Sequence, residues 1–497
     1  MQKTRKCGIL LPLASLPSGE GIGTFGKNAY EFVDYLASAG VKIWQILPLL
    51  PLSYGNSPYS PCASEAICHY YIDLQTLKEQ GLLRGDEISS ANFGNDPHRV
   101  DYGALFSEKT KILKKAYRRF DKNSEEWKAF VAGGKYDDYA TFMTLKEKFS
   151  YRDSAEWGKY KAFDNRLIEA FIESNREEFE FFLFTQYLCE KQWGALKSYA
   201  NEKGVEILGD IPIYLARDSV EVWKYGKELF SLADDGSLSE VAGVPPDAFS
   251  EDGQLWGNPV YDWEKMKKNG YKWWKNRLNY CLSVYDIVRL DHFRGFDRYY
   301  CIKSGEKSAK NGEWKDGPKF GLFKDLTAAK IVAEDLGVID DGVRTLMRET
   351  GYPGMKVMSF GLSGDPYSEH KPSNYPENCV GYTGTHDNEP LKVLFSDENP
   401  QKEIIEKDLK SECEKEGVKG SLKTVDAKIS AAIRLLLASK AFIAVIPFHD
   451  LKRFGEEARI NAPSVFSDKN WSFRYVPEDF DERTKKRLKK WIKTYNR

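Results

Sequence analysis

Four acidic residues stand where short apolar runs of the chain end. Asp210 follows Ile207-Leu208-Gly209, Asp291 follows Val288-Arg289-Leu290, Glu334 follows Val332-Ala333, and Asp387 follows Thr383-Gly384-Thr385-His386. A carboxylate at the end of one strand is ordinarily a cap for the helix that comes next. That reading suits Asp335 and extends to Asp210. Several carboxylates converging on one cleft are different, because like charges repel and push their proton affinities apart. One can then stay protonated while another is ionised, which is the equipment needed on the two sides of a glycosidic bond. Arg289 lies two residues before Asp291 and so on the same strand face. It would keep Asp291 ionised, leaving Glu334 on the neighbouring strand as the proton donor.

Those strand ends must be gathered by a scaffold. Eight apolar runs of buried-strand character occur at residues 6–13, 42–49, 205–213, 286–292, 330–336, 355–361, 379–385 and 441–448. Helical patterns lie between most of them; 28–39, closed by Gly40, is one. Alternating strands and helices predict a parallel sheet, and eight repeats predict an α/β fold of the closed (β/α)8 TIM-barrel type. In such barrels the reactive groups stand at the C-terminal ends of the strands, which is where the four acids fall. The spacing is uneven. About 150 residues separate the second run from the third and about 70 the third from the fourth, too many for plain loops. The expectation is one catalytic barrel over 1–497 with subdomains inserted between barrel strands at about 50–204 and 215–285.

Other features narrow the classes. The formal net charge of −1 points to neither nucleic acid nor an anionic membrane as a partner. No apolar run has the length of a membrane span, and the run after Lys3, Arg5 and Lys6 is short and interrupted by Pro12 and Pro17, so it reads as a first buried strand rather than a leader. The eight cysteines are scattered without a C-x-x-C, as in a chain from a reducing compartment, and a cytoplasmic location is expected. Cys62, Cys68 and His69 lie close together, but no second ligand cluster answers them. The charged stretch 401–423 reads as a solvated helix. Leu488, Trp491, Ile492 and Tyr495 read as the stripe of a last helix docked on the barrel.

Gly21-Ile22-Gly23-Thr24-Phe25-Gly26 matches the dinucleotide fingerprint G-x-G-x-x-G. The second strand, however, ends Ile46-Leu47-Pro48-Leu49, without the acidic residue that would hold a ribose. The glycines are therefore read as a loop at the barrel mouth that lets a ligand approach the backbone.

The ordered strings VRLDHFRGF, VAEDLG and GTHDN resemble the amylomaltase or disproportionating-enzyme family, glycoside hydrolase family 77 of the α-amylase clan. GILLPLASLPSGEGIGTFG, IWQILPLLPLSYGNSPYS, ILGDIPIY, VAGVPPDAFSEDGQLWGNPVYDW, NYPEN and EARINAP extend the resemblance over nearly the whole chain. It implies a 4-alpha-glucanotransferase acting on α-1,4-glucans and malto-oligosaccharides as donor and acceptor, by a retaining two-step mechanism. Asp291 would be the nucleophile, Glu334 the acid and base, and Asp387 a partner of the sugar hydroxyls in the distorted transition state. Retention implies carboxyl groups about 5–5.5 Å apart for Asp291 and Glu334. Arg289 and His386 would orient sugar and nucleophile. The resemblance also carries Tyr59, Asp210, Asp247, Gln254, Trp256, Asn461 and Pro463 over as substrate contacts, with Trp256 and Tyr59 as sugar platforms. It implies no metal and no organic cofactor.

The chain departs from the family pattern at Asn56 before Ser57-Pro58-Tyr59, at Cys68-His69, at Glu389-Pro390 after GTHDN, at His449 before Asp450, and at Ser464 after Asn461-Ala462-Pro463. All are expected on mouth loops, where they would bear on donor length, acceptor choice and the balance between transfer and hydrolysis.

Overall fold

The computed structural model describes residues 4–246, 251–327 and 330–497. Eight parallel strands form one sheet: β1 (Lys6–Leu10), β2 (Ile43–Gln45), β3 (Glu206–Ile211), β4 (Ile287–Leu290), β5 (Ile331–Ala333), β6 (Gly354–Val357), β7 (Cys379–Tyr382) and β8 (Ile443–Pro447). The ladder runs β6-β7-β8-β1-β2-β3-β4-β5. Its two ends meet through the Ala333 N–H on the Pro353 carbonyl at 2.9 Å. Asp335 strengthens this seam by accepting the Met355 N–H at 2.6 Å, with Lys356 Nζ 3.5 Å away. The cap reading of Asp335 is thus replaced: its carboxylate supplies an acceptor where the strands do not pair. The strands are shorter than the apolar runs, because several runs turn into helix at their ends, as at Met358–Gly361 after β6 and Phe448–Lys452 after β8.

Strand alternation decides which residues face the barrel axis. Leu208, Ile287, Val332, Met355, Val357, Val380, Tyr382, Ile443 and Val445 pack together as an inner core. Ile207, Val288, Leu290, Ile331 and Ala333 belong to the outer core against the helices. Asp210, Arg289, Asp291 and Glu334 share the parity of the inner set. The register pairs Asp210 with Arg289, and Arg289 with Val332.

The segment between β2 and β3 is helical, with Tyr102–Arg119, Asp137–Lys148 and the 27-residue Arg176–Glu202 as its main members. A second, antiparallel sheet is ordered Gln254–Pro259, Glu240–Val244, Arg298–Lys303, Glu313–Asp316. It takes two strands from before β4 and two from after it, so it extends past residue 285.

The glycine-rich loop is packed against its own chain. A Cβ on Gly23 would lie 1.9 Å from the Leu13 carbonyl oxygen, and one on Gly26 2.0 Å from the Asp73 carboxylate. Both glycines are buried, so the close approach they permit is to protein and not to a ligand. The charged stretch 401–423 also departs from its reading. Its helix is Lys402–Lys415, and Ile405, Asp408, Leu409, Glu412 and Cys413 form a buried face. Asp408 accepts from the Gly364 N–H at 2.8 Å and pairs with Lys371 at 3.0 Å, which lets an acidic helix dock. The last helix, Glu482–Thr494, buries Leu488 and Ile492 as expected. Among the described residues no helix is long and apolar enough to cross a membrane.

Candidate active site

Arg289 is the hub of the mouth. One guanidinium nitrogen, Nη1, lies 2.9 and 2.8 Å from the two oxygens of Asp210 and 2.9 Å from Asp291 Oδ1. Its Nε faces Met355 Sδ at 3.4 Å. Tyr59 donates its hydroxyl to Asp210 Oδ2 at 2.7 Å. Asp210 is only 1 % exposed, so it holds Arg289 and Tyr59 in place rather than facing the open cleft. It caps no helix; it is the buried counter-charge that fixes the guanidinium beside Asp291.

Glu334 is buried, and both of its oxygens accept backbone N–H groups, from His292 and Leu336, each at 2.8 Å. Burial pushes its carboxyl up; Arg289 draws it down and Asp291 raises it again, leaving it at about 7. A carboxyl with that affinity is partly protonated at neutral pH and can give a proton to a leaving oxygen.

Asp387 is the more open acid, with about two-fifths of its side chain accessible. His386 Nε2 lies 3.3 Å from Asp387 Oδ2, and Asn461 donates to Oδ1 at 2.6 Å. Burial would raise Asp387, but His386 and Asn461 outweigh it and hold it down at about 2. The same contact raises His386, against the desolvation that would lower it. The His386 ring stacks on Tyr59 at 4.9 Å and 13°, and Trp471 leans on both rings at 5.6 and 5.9 Å. The Asn461 N–H donates to the His386 carbonyl at 3.1 Å, so the EARINAP segment is tied to the β7 loop.

The second sheet brings its own residues. Trp256 is 37 % exposed, its Nε1 donates to Gln254 Oε1 at 3.1 Å, and its ring meets His292 edge-on at 4.9 Å. Pro463 lies exposed on the loop after Asn461. Asp247 falls outside the described residues.

Of the departures from the family pattern, Asn56, Glu389 and Ser464 lie on loops at the surface; Asn56 and Ser464 take φ of 57° and 63°. Pro390 is buried at the start of the helix Leu391–Leu394. Cys68 and His449 are buried as well, Cys68 with its carbonyl 3.9 Å from Cys189 Sγ and His449 beside Asp450. These three positions shape packing beneath the mouth and not its rim. His69 Nε2 faces Thr110 Oγ1 at 3.4 Å. The grouping of possible metal ligands found among the described residues is Glu240, Cys301 and Glu313 in the second sheet. Lys315 Nζ already sits 2.5 Å from Glu240 and 3.1 Å from Glu313, so an ammonium supplies the positive charge there.

Sequence reasoning had passed over His292, Met355 and Trp471. His292 and Trp471 adopt φ of 47° and 62°, values that a side-chain-bearing residue seldom takes and that no composition rule foretells.

A parallel eight-stranded barrel with Asp291, Glu334 and Asp387 at the C-terminal ends of three strands defines the class: a (β/α)8 enzyme of the glycoside-cleaving kind. A family model described as 4-alpha-glucanotransferase matches residues 11–478. The 4-alpha-glucanotransferase of Clostridium butyricum is 40 % identical, over 98 % of this chain and 99 % of its own. That of Thermus thermophilus is 37 % identical, over 98 % of each chain. The solved amylomaltase of Streptococcus agalactiae in complex with acarbose superposes with a TM-score of 0.93 at 35 % identity, covering 99 % of this chain and 100 % of the other. The chain belongs to the 4-alpha-glucanotransferase family, glycoside hydrolase family 77. It is an enzyme, a 4-alpha-glucanotransferase of the amylomaltase type.

Proposed function

We propose that Asp291, Glu334 and Asp387 carry the transfer of α-1,4-glucan segments to the 4-hydroxyl of an acceptor glucan or glucose. Asp291 Oδ attacks the anomeric carbon while Glu334 gives its proton to the departing glycosidic oxygen. The shortened glucan leaves with that proton, and the donor segment stays as an ester on Asp291. Glu334, now a carboxylate, takes the proton of the incoming 4-hydroxyl; the acceptor oxygen displaces Asp291, and the α configuration is restored. Asp387, ionised and aimed by His386 and Asn461, accepts hydroxyl hydrogen bonds of the distorted sugar. Tyr59, Arg289 and His386 hold the nucleophile's side of the cleft with Asp210 behind them. Gln254, Trp256, Asn461 and Pro463 meet the glucan, and Asp247 is read as doing so on the resemblance alone.

The observation that carries this reading is the opposite treatment of two acids at one mouth. Glu334 is buried and lifted to about 7, while Asp291 lies against a guanidinium. We read the whole chain, 1–497, as one catalytic unit with 50–204 and 215–285 as insertions on the barrel. We place it in the cytoplasm, which suits eight free, buried cysteines. Incubation with maltotriose, with Asp291→Ala beside it, tests the assignment. Glucose together with maltopentaose and longer chains, absent in the variant, is the expected result. Glucose and maltose alone would mean that water and not sugar reaches the intermediate.

A further inference from the structure

The turn after Asp291 joins two parts of the cleft that the barrel alone would leave independent. His292 sits in the left-handed region at φ 47°, and from there its N–H reaches Glu334 Oε2 at 2.8 Å. The other oxygen takes the Leu336 N–H, from the end of Glu334's own strand. One of the two hydrogen bonds that hold the buried acid therefore comes from the neighbouring strand, the one that carries Asp291. The His292 imidazole points the other way and meets the Trp256 ring edge-on at 4.9 Å and 79°. Trp256 belongs to the strand Gln254–Pro259 of the second sheet and not to the barrel. Gly295 keeps room for this ring: a Cβ there would fall 2.9 Å from His292 Cδ2. Arg294 fixes the same turn, bonding the Val338 carbonyl at 2.5 Å and Asp340 at 3.0 Å, with its guanidinium 4.0 Å from the centre of the Trp314 ring. Trp314 lies on the outer strand of that second sheet.

We propose that His292 is a positioning residue that couples Glu334 to Trp256, its left-handed backbone fixing the acid's oxygen while its ring seats the sugar-side tryptophan. Movement of the second sheet on the glucan is thereby felt at the acid. The inference rests on Glu334 being the acid and base. The charged groups that face Glu334 are Arg289 and Asp291, while Asp335, next in the chain, turns away to Lys356. Burial holds the His292 ring neutral, down at about 4, so its part at neutral pH is one of shape and hydrogen bonding.

The test is the pH profile of kcat/KM and the separate kcat and KM for maltotriose disproportionation by the full chain. His292→Gly keeps the left-handed backbone and the N–H but loses the ring. Its alkaline limb is expected to stay in place while KM rises about tenfold. His292→Val resists φ above zero. Its N–H leaves Glu334, the carboxylate loses a donor, the alkaline limb moves up by about one pH unit and kcat falls about ten- to a hundredfold. Trp256→Ala should repeat the KM rise, and adding it to His292→Gly should change little more. An alkaline limb that shifts as far in Gly as in Val, or additive effects of Trp256→Ala and His292→Gly, would overturn the coupling. Should the Val protein not fold, the Gly and Trp256 variants decide by themselves. Glu334→Gln at the wild-type rate would remove the acid assignment instead.

Discussion

Two of the places where the molecule buries carboxylates do so in contrasting ways. Beneath the glycine-rich loop, Glu20 is 3 % and Lys109 0 % exposed, with Nζ 2.6 Å from Oε2 and the Leu74 N–H on Oε1 at 2.9 Å. There a buried ammonium faces the carboxylate directly and both Glu20 oxygens are taken, with the like charge of Asp73 nearby. At the mouth, Asp210, Asp291, Glu334 and Asp387 share Arg289 and His386, so the acids outnumber their partners. A matched pair closes a site; an excess leaves one group to hold a proton near neutrality. Both places look functional to a motif search, and burial raises Glu20 as well, with Lys109 and the Leu74 N–H drawing it back. The mouth differs in that Glu334, left at about 7, shares its one guanidinium with other acids in an open cleft.

The largest effect expected on the mouth is from Asp291→Ala. Disproportionation of maltotriose should fall by at least about 10⁴-fold, the scale on which loss of a covalent nucleophile acts. The melting temperature should not fall, because Arg289 keeps Asp210 and one like charge is removed. A large loss of stability would mean that the mouth is built like the Glu20–Lys109 pair.

Glu334→Gln comes next, with a loss of about 10²- to 10⁴-fold. The wild type should lose activity as pH rises through about 7, where Glu334 gives up its proton. Stability has the same direction. A carboxyl held above its unfolded affinity contributes fully below the ordinary carboxylate range and loses that contribution as pH rises through about 7. Above that pH the Gln variant should melt higher than the wild type, a difference that vanishes near pH 4 and that thermal scans at both pH values would read.

Lys109→Met should leave the chemistry alone and act on the fold. Glu20 would be buried without its partner, at a cost of about 3–5 kcal/mol. Adding Glu20→Gln should recover much of it, as chemical denaturation of the single and double variants would measure. Activity loss at full stability would break the contrast between the two sites.

The sequence made the mouth acids legible because each ends an apolar run and the barrel rule says where such ends gather. Arg289 was readable for the same reason, being two residues from Asp291 on one face. The rest depends on contacts between distant segments. Glu20 and Lys109 are 89 residues apart, and nothing in either neighbourhood names the other. The glycines were read as ligand-facing, because a motif states that a Cβ is forbidden but not what forbids it; here it is Leu13 and Asp73. The second sheet was missed as a unit because its strands lie on both sides of β4 and hold only four to six residues each. Asp335 was read as a cap because the absence of a β5–β6 ladder, which gives it the Met355 N–H, is a property of barrel closure and not of the local chain.

The smallest effect expected is also the one that separates holding a charge from using it. Asn461 donates to Asp387 Oδ1 at 2.6 Å and is one of the groups that keep this acid at about 2. Asn461→Ala removes that donor but leaves His386 in place at 3.3 Å. The carboxylate should then bind a proton more readily, and the acid limb of kcat/KM should move to higher pH, while the alkaline limb set by Glu334 stays. At neutral pH Asp387 is ionised in either protein, so the loss there is that of one charged hydrogen bond, about tenfold in kcat/KM. If the alkaline limb moved as well, the mouth would be one titrating unit. An acid limb that stayed fixed while activity fell would leave Asn461 only its contact with the sugar and the charge of Asp387 to His386 alone.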